Sequence, residues 1–278
     1  MLALLLGLAA ALAWGVHDLL VRRISQGTNV LGQILTVTAI GALVLAVPGG
    51  RDLAQMSPAA LGLAVLAGFG YVLAYLGLYR ALGLAPARVV SPVLGAYPLL
   101  SMLVAALTGA TVTPLDWLAV VAVVAGVAVV AAMAQEDAAS GPVSVALLWA
   151  GLGAAGFAAT FALGQAASVG DHSLAAGLVT RLVALACLLA VLAAQRPSLQ
   201  PVRQNWRVLI VMGLLDTAAL ALVMLAGGRP NAEYAAVAAS LFGVVTILLA
   251  WRFLGETVRP TQWLGIGLVF AGIAQLAV

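Results

Sequence analysis

Asp216 and Arg181 are charges placed where the chain offers them no water. Asp216 lies about ten residues from either end of an apolar run, and Arg181 lies seven residues past Leu174 in another. At the rise of a helix those positions are about 10 Å or more from the run ends and differ in depth by only about 5 Å. An arginine does not neutralise itself by losing a proton, so Arg181 must meet an anion, carbonyl oxygens or water. Two arrangements satisfy that need. One is a structural ion pair locking two helices together. The other is a binding site in which Arg181 holds a carboxylate and Asp216 holds an ammonium group or a proton, and buried pairs contribute too little stability to be kept for that alone.

A second group of titratable residues sits near the end of the first apolar run, where Trp14, His17 and Asp18 precede Arg22 and Arg23. Trp14 and Asp18 are four apart and share a helix face. Asp18 is either an interfacial partner of Arg22, with His17 beside it, or a titratable site at the mouth of a pathway. Tyr71, Tyr75 and Tyr79 form a stripe at the same spacing. Tyr71 is too deep for an interfacial belt and its hydroxyl needs a partner, so Tyr71 and Tyr75 read as site-lining residues and Tyr79, next to Arg80, as an interface anchor. Tyr97 joins Trp14, His17, Tyr71, Tyr75, Arg181 and Asp216 as a candidate substrate contact. Asp216 and Asp18 are the candidate proton carriers.

Gating would need helices that bend. Pro92 and Pro98 bracket Gly95 and Tyr97 in one run, and Gly243 occupies the position of Pro98 in a second run. Two prolines free backbone carbonyls that only neighbours or cavity water can satisfy inside a membrane. Arg88 and Glu233 are opposite charges at equivalent points of those two runs, placed either to close a gate by pairing or to serve as interface charges. Other chemistries lack their parts. The two histidines, His17 and His172, belong to no HExxH pattern, no GxSxG or CxxC motif occurs, and Cys187 is the single cysteine. The expectation is therefore no enzyme, no metal, no cofactor and no nucleic-acid partner.

The elements that must position these residues are membrane helices. The chain is 64% hydrophobic and 8% charged, with a mean hydropathy of +1.17, which is membrane composition. Ten apolar runs are separated by short polar breaks, roughly 2–21, 30–47, 59–79, 87–108, 114–134, 143–168, 173–194, 206–227, 231–253 and 260–278. Pro48-Gly49-Gly50 is expected to end the second run, and Ser57-Pro58 to start the third as N-cap and first helical residue. Gln33, Thr36 and Thr38 in the second run either line a polar cavity or bond back to their own helix.

The chain also repeats itself. At an offset of 146, Gly109, Thr111, Pro114, Trp117, Leu118 and Gly126 fall on Gly255, Thr257, Pro260, Trp263, Leu264 and Gly272. Upstream the offset is 145, which aligns Tyr71 with Asp216. So long a repeat in so apolar a chain reads as a duplicated half-transporter, with halves 1–134 and 143–278 joined by a linker at 135–142. The fold class expected is all-α integral membrane, ten transmembrane helices in two inverted five-helix repeats around a central cavity, with the last span of each half peripheral. All 12 basic residues are arginines. Nine of them cluster on the side of the loops between runs 1 and 2, 3 and 4, 5 and 6, 7 and 8, and 9 and 10, which would be the cytoplasmic side by the positive-inside rule, leaving both termini outside.

With the repeat, the turn Leu254-Gly255-Glu256 before Pro260, and the pair Trp14-Gly15, the chain resembles the EamA branch of the drug/metabolite transporter superfamily. The resemblance covers essentially the whole chain. It implies two inverted five-helix halves around a cavity, and export or exchange of small organic solutes such as amino acids, often coupled to protons. Arg181 matches an arginine common in the second helix of such halves, where the first half carries Thr38. Two departures stand out. The first half has Ala110 where the second has Glu256, so Glu256 reads as a structural, turn-fixing or helix-capping residue. The family usually keeps both termini in the cytoplasm, opposite to the arginine count. The function expected is a secondary transporter of an amino acid or similar zwitterionic or aromatic metabolite, working in a prokaryotic cytoplasmic membrane as a monomer or homodimer. An intramembrane enzyme and a non-transporting scaffold or receptor are the alternatives.

Overall fold

A computed structural model describes residues 2–26, 29–100, 103, 113–134, 143–170, 172–226 and 233–275. Every regular element among them is helical. They are α1 (Leu2–Ile24), α2 (Leu31–Asp52), α3 (Pro58–Leu84), α4 (Ala87–Gly95), α5 (Pro114–Ala134), α6 (Val143–Ala167), α7 (Ser173–Gln195), the short α8 (Gln200–Gln204), α9 (Trp206–Leu225), α10 (Glu233–Ala239), α11 (Phe242–Leu254) and α12 (Pro260–Gln275). Helices are the form open to such sequences in lipid, because each backbone N–H and C=O must find its partner within the segment. Seven spans among the described residues are long and apolar enough to cross a bilayer: α1, α2 continued to Gln55, α3, α6, α7, α9, and Ala235–Leu254, which joins α10 to α11. Leu43, Val47, Phe69, Leu118, Leu148, Phe253 and Leu264 are exposed on the outside, as lipid-facing side chains should be. The linker 135–142 lies outside the described residues.

A local signal explains the start of α3. Ser57 accepts a hydrogen bond from the amide of Ala60 at 3.1 Å with Pro58 as the first helical residue, as the sequence predicts. Pro48 does not end α2, which runs on to Asp52. The reason is packing: a side chain at Gly49 would collide with the carbonyl of Leu174, so Gly49 lets α2 lie directly on α7 past the proline. Thr36 and Thr38 bond back to the carbonyls of Gly32 and Ile34, the second of the two readings open to them.

Close backbone approach holds several of the helix pairs. The α3–α6 contact is made through Gly77, whose Cα–Cβ vector would meet Gly153, and through Gly156, where a Cβ would overlap the backbone of Ala74. Gly156→Val is therefore expected to remove folded protein, since overpacking costs about 1–3 kcal/mol and sometimes more. Gly62→Ala, where an added Cβ meets nothing within 4 Å, should leave the melting temperature in detergent unchanged or slightly raised, because alanine is the better helix former. Helices α5 and α12 pack chiefly on each other: Gly126 faces the carbonyl of Gly265 and Gly272 faces that of Ala119. Those two contacts exchange under the 146-residue offset.

Helix breaks occupy matching places. The helix after α4 is interrupted at Ala96, between Pro92 and Pro98, and α10 gives way to α11 at Ser240-Leu241. The two breaks touch. Gly95 sits against the carbonyl of Ser240, and Gly243 sits against that of Ser91. Pro92, Pro98 and Gly243 thus flank one crossing point, where each helix lays a glycine against the other's backbone carbonyl.

Glu256 turns out to join distant parts of the chain. Gly255 adopts a left-handed conformation (φ 68°) that ends α11, and the next residue points back into the bundle. One carboxylate oxygen of Glu256 accepts from Nε of Arg22 at 2.7 Å, and the other accepts from the backbone amide of Ala87 at 2.9 Å. It therefore caps α4 where an unpaired amide and a positive helix end favour an anion. Arg22 also donates to the carbonyl of Leu82 at 2.7 Å, so the group ties the ends of α1 and α3 to the start of α4. Glu256→Ala is expected to lower stability by roughly 2 kcal/mol, the scale of a charge-assisted hydrogen bond, read as a drop in the melting temperature in detergent. An unchanged melt would show that the clasp is solvated and weak.

Candidate functional site

Asp216 stands near the middle of α9 and receives four donors. Arg181 Nη1 lies 2.7 Å from Oδ2 and the Tyr71 hydroxyl donates to the same oxygen at 2.8 Å. The Trp14 indole N–H donates to Oδ1 at 3.2 Å and the Tyr75 hydroxyl also donates to Oδ1. Those donors come from α7, α3, α1 and α3 again, so three helices converge on a carboxylate carried by a fourth, α9. A carboxylate has about four acceptor positions, and here they are filled. Tyr71 has a double role, since its oxygen accepts from Arg181 Nη1 at 3.0 Å while its proton goes to Asp216.

The helices present these groups for plain reasons. Tyr71, Tyr75 and Tyr79 are four apart on α3 and form one ladder, with Tyr71 and Tyr75 stacked at 4.2 Å. Arg181 reaches the centre because Gly41 on α2 leaves room: a Cβ there would lie 2.5 Å from both Arg181 Nη1 and Thr217 Oγ1. Trp14 is wedged among Phe157, Phe161 and Phe242, with centroids at 6.4, 5.3 and 6.4 Å. Tyr97 extends that aromatic wall against Phe161 at 5.0 Å, and its hydroxyl donates to the carbonyl of Ala236 rather than to Asp216.

The guanidinium of Arg181 is only half used. Its Nε and Nη2 have no hydrogen-bond partner among the described residues, although the side chain is fully buried. These two N–H groups form the edge that grips a carboxylate through parallel hydrogen bonds.

His17 and Asp18 belong to an adjoining cluster. His17 Nδ1 is 2.8 Å from Asp18 Oδ1 and His17 Nε2 is 3.3 Å from the Tyr79 hydroxyl. The imidazole also lies edge-on to Tyr75, at 5.9 Å between centroids. Both residues are buried.

Several expectations need correction. Asp18 does not pair with Arg22; it pairs with its neighbour His17, and Arg22 is taken by Glu256. Tyr79 is not an interface anchor. It is buried and bonded to His17, while Arg80 next to it stacks over Trp149 at 4.4 Å. The central cavity is not open at the charge pair in this conformation, because Arg181 and Asp216 have 0% exposure. The tyrosine, tryptophan and arginine donors occupy the space around the carboxylate that a solute would take. Arg88 is buried in α4, but the side chain of Glu233 lies outside the described residues, so their pairing stays an expectation.

Sequence reasoning grouped Trp14, Tyr71, Tyr75, Arg181 and Asp216 as candidate site residues, and the structure brings those five to one point. It missed the Arg22–Glu256 clasp and the Phe157, Phe161 and Phe242 wall. The phenylalanines carry no signal that separates a site wall from ordinary core. Glu256 did carry one, as the acidic residue lacking a counterpart at Ala110.

Comparison with known proteins now bears on this geometry. The profile of the EamA-like transporter family matches residues 1–132 and matches again over 144–278. No curated protein matches the chain. Solved structures do, among them a crystal structure whose description states no activity. It is 20% identical and superposes with a TM-score of 0.65 over 98% of this chain and 95% of that one. At that identity the likeness speaks for the fold alone.

Proposed function

Because the chain belongs to the EamA-like transporter family, within the drug/metabolite transporter superfamily, we propose that it is a secondary transporter exporting a small zwitterionic solute, an amino acid or a similar aromatic metabolite, across a prokaryotic cell membrane. The family is one of transporters rather than enzymes, and the apolar helices make the chain a membrane protein. The observation that carries the substrate class is the unpartnered Nε and Nη2 edge of Arg181, held at the depth of an aspartate on the next helix. A solute carboxylate takes the guanidinium edge. Its ammonium displaces donors from Asp216, and the wall of Trp14, Tyr97, Phe157 and Phe161 receives its side chain. A proton on Asp216 competes with the ammonium, which is the simplest coupling this pair allows.

Alternating access follows from a duplicated architecture. Five spans per half is an odd number, so the halves 1–134 and 143–278 enter the bilayer in opposite senses. The packing is consistent with a two-fold relation. Helix α3 lies on α6 as α9 lies on α1, while α2 with α7, and α5 with α12, pair across the axis. The crossing of the two broken helices is where one half rocks against the other, with Pro92, Pro98 and Gly243 as hinges and Arg88 with Glu233 as the charges that close it.

Counterflow in proteoliposomes tests the substrate class, using a panel of radiolabelled neutral amino acids, quaternary amines and nucleosides. Exchange of amino acids is the result expected. Exchange of quaternary amines or nucleosides without amino acids would remove Arg181 from the role given to it.

A further inference from the structure

Near the ends of α1 and α3 lies a cavity of about 280 Å³ walled by Ser25, Asn29, Val30, Tyr79, Arg80, Gly83 and Leu84. It belongs to the membrane face that carries Arg22, Arg23 and Arg80. Tyr79 is part of its wall and also the hydrogen-bond partner of His17 Nε2, and the other ring nitrogen of His17 holds Asp18. We propose that Tyr79, His17 and Asp18 form a proton-holding relay between this cavity and the central carboxylate. This deepens the transport reading above, since the relay serves Asp216 as the coupling group.

The relay needs no other reactant. A hydronium ion in the cavity gives a proton to the Tyr79 oxygen, leaving water, as the Tyr79 proton passes to His17 Nε2. His17 then carries protons on both nitrogens, and the Nδ1 proton is held by the Asp18 carboxylate. The dyad changes from a net charge of −1 to 0, and the reverse steps return the proton to the cavity. The inner end is close to the transport site, because the Tyr75 ring lies against both His17 and Tyr79 while its hydroxyl is bonded to Asp216. No hydrogen bond joins His17 directly to Tyr75 among the described residues, so the last transfer belongs to a conformation in which α1 and α3 have shifted.

The surroundings single out this cluster. From α3 the groups facing His17 are Tyr75 and Tyr79. From α9 it is Asp216, close enough to act electrostatically on both His17 and Asp18. Helix α11 presents Phe242 and Val245 to the same stretch of α1, and α10 presents Ala235 and Ala238 farther back, at Gly7. Arg22, the next charge along α1, is engaged by Glu256 and Leu82.

The test uses the full-length protein and no transport substrate. The chain has two histidines, so His172→Gln leaves His17 as the one imidazole, visible by ¹⁵N NMR in detergent micelles. The result expected is exchange of the His17 ring proton with water, slowed at least tenfold by Tyr79→Phe and also slowed by Asn29→Leu, which fills the cavity while leaving Tyr79 intact. Asp18→Asn should move the ring to a different tautomer. Exchange that is absent in the His172→Gln protein, or equally fast after both substitutions, would overturn the relay. Failure of the amino-acid counterflow is a separate result and leaves this measurement standing.

Discussion

Asp216→Asn is expected to abolish pH-gradient-driven accumulation in proteoliposomes and to cost about 3–5 kcal/mol of stability, the price of leaving one member of a buried ion pair alone. The substitution keeps the shape of the side chain, so the loss tests charge rather than volume. Asparagine offers one acceptor oxygen where the carboxylate offers two, yet Arg181, Tyr71, Trp14 and Tyr75 all donate to that group. At least one buried donor must lose its partner, and Arg181 becomes an uncompensated cation. A thermal melt in detergent reads the stability, and pH-jump uptake reads the coupling. Wild-type pH dependence in the variant would remove Asp216 from the coupling role.

The second large effect is expected at Arg181. Arg181→Lys should lower counterflow at least about tenfold, since an ammonium cannot reproduce the two parallel N–H groups of the guanidinium edge. Arg181→Met combined with Asp216→Asn removes both charges. That double variant should be more stable than either single variant, because neither charge is then left buried alone, and it should remain without transport. A cycle of four melting curves and four counterflow rates separates the two roles. If the double variant were the least stable of the four, the pair would be holding the fold together in a way this account does not describe.

The sequence was informative where the physics is local or repetitive. Hydropathy alone locates seven spans among the described residues, and the Ser57-Pro58 start of α3 follows from capping. Depth in the bilayer brought Arg181 and Asp216 together, because two charges at one level in an apolar medium have few other partners. Reasoning by neighbours along one helix failed where a distant residue competes. The four-residue spacing of Asp18 and Arg22 suggested a pair, but Glu256 from the far end of the chain takes Arg22, and His17 answers Asp18. Tyr79 immediately precedes Arg80 in sequence and so read as interfacial, although its helix turns it inward by the periodicity that also places Tyr71 and Tyr75. Pro48 read as a terminator because a proline's effect is local, whereas the continuation of α2 depends on Gly49 meeting α7. The closed centre is a property of how donors from three helices fill around one carboxylate on a fourth, and no stretch of sequence contains that information.

The central claim is that Arg181 and Asp216 hold the two charged ends of one solute. Competition in counterflow tests it most directly, using an exchanging amino acid, its methyl ester and its N-acetyl derivative as unlabelled competitors. Both capped forms should compete at least about tenfold less well than the parent, in line with the loss of one charge-assisted contact each. An ester or an N-acetyl derivative that competes as well as the free amino acid would contradict the claim.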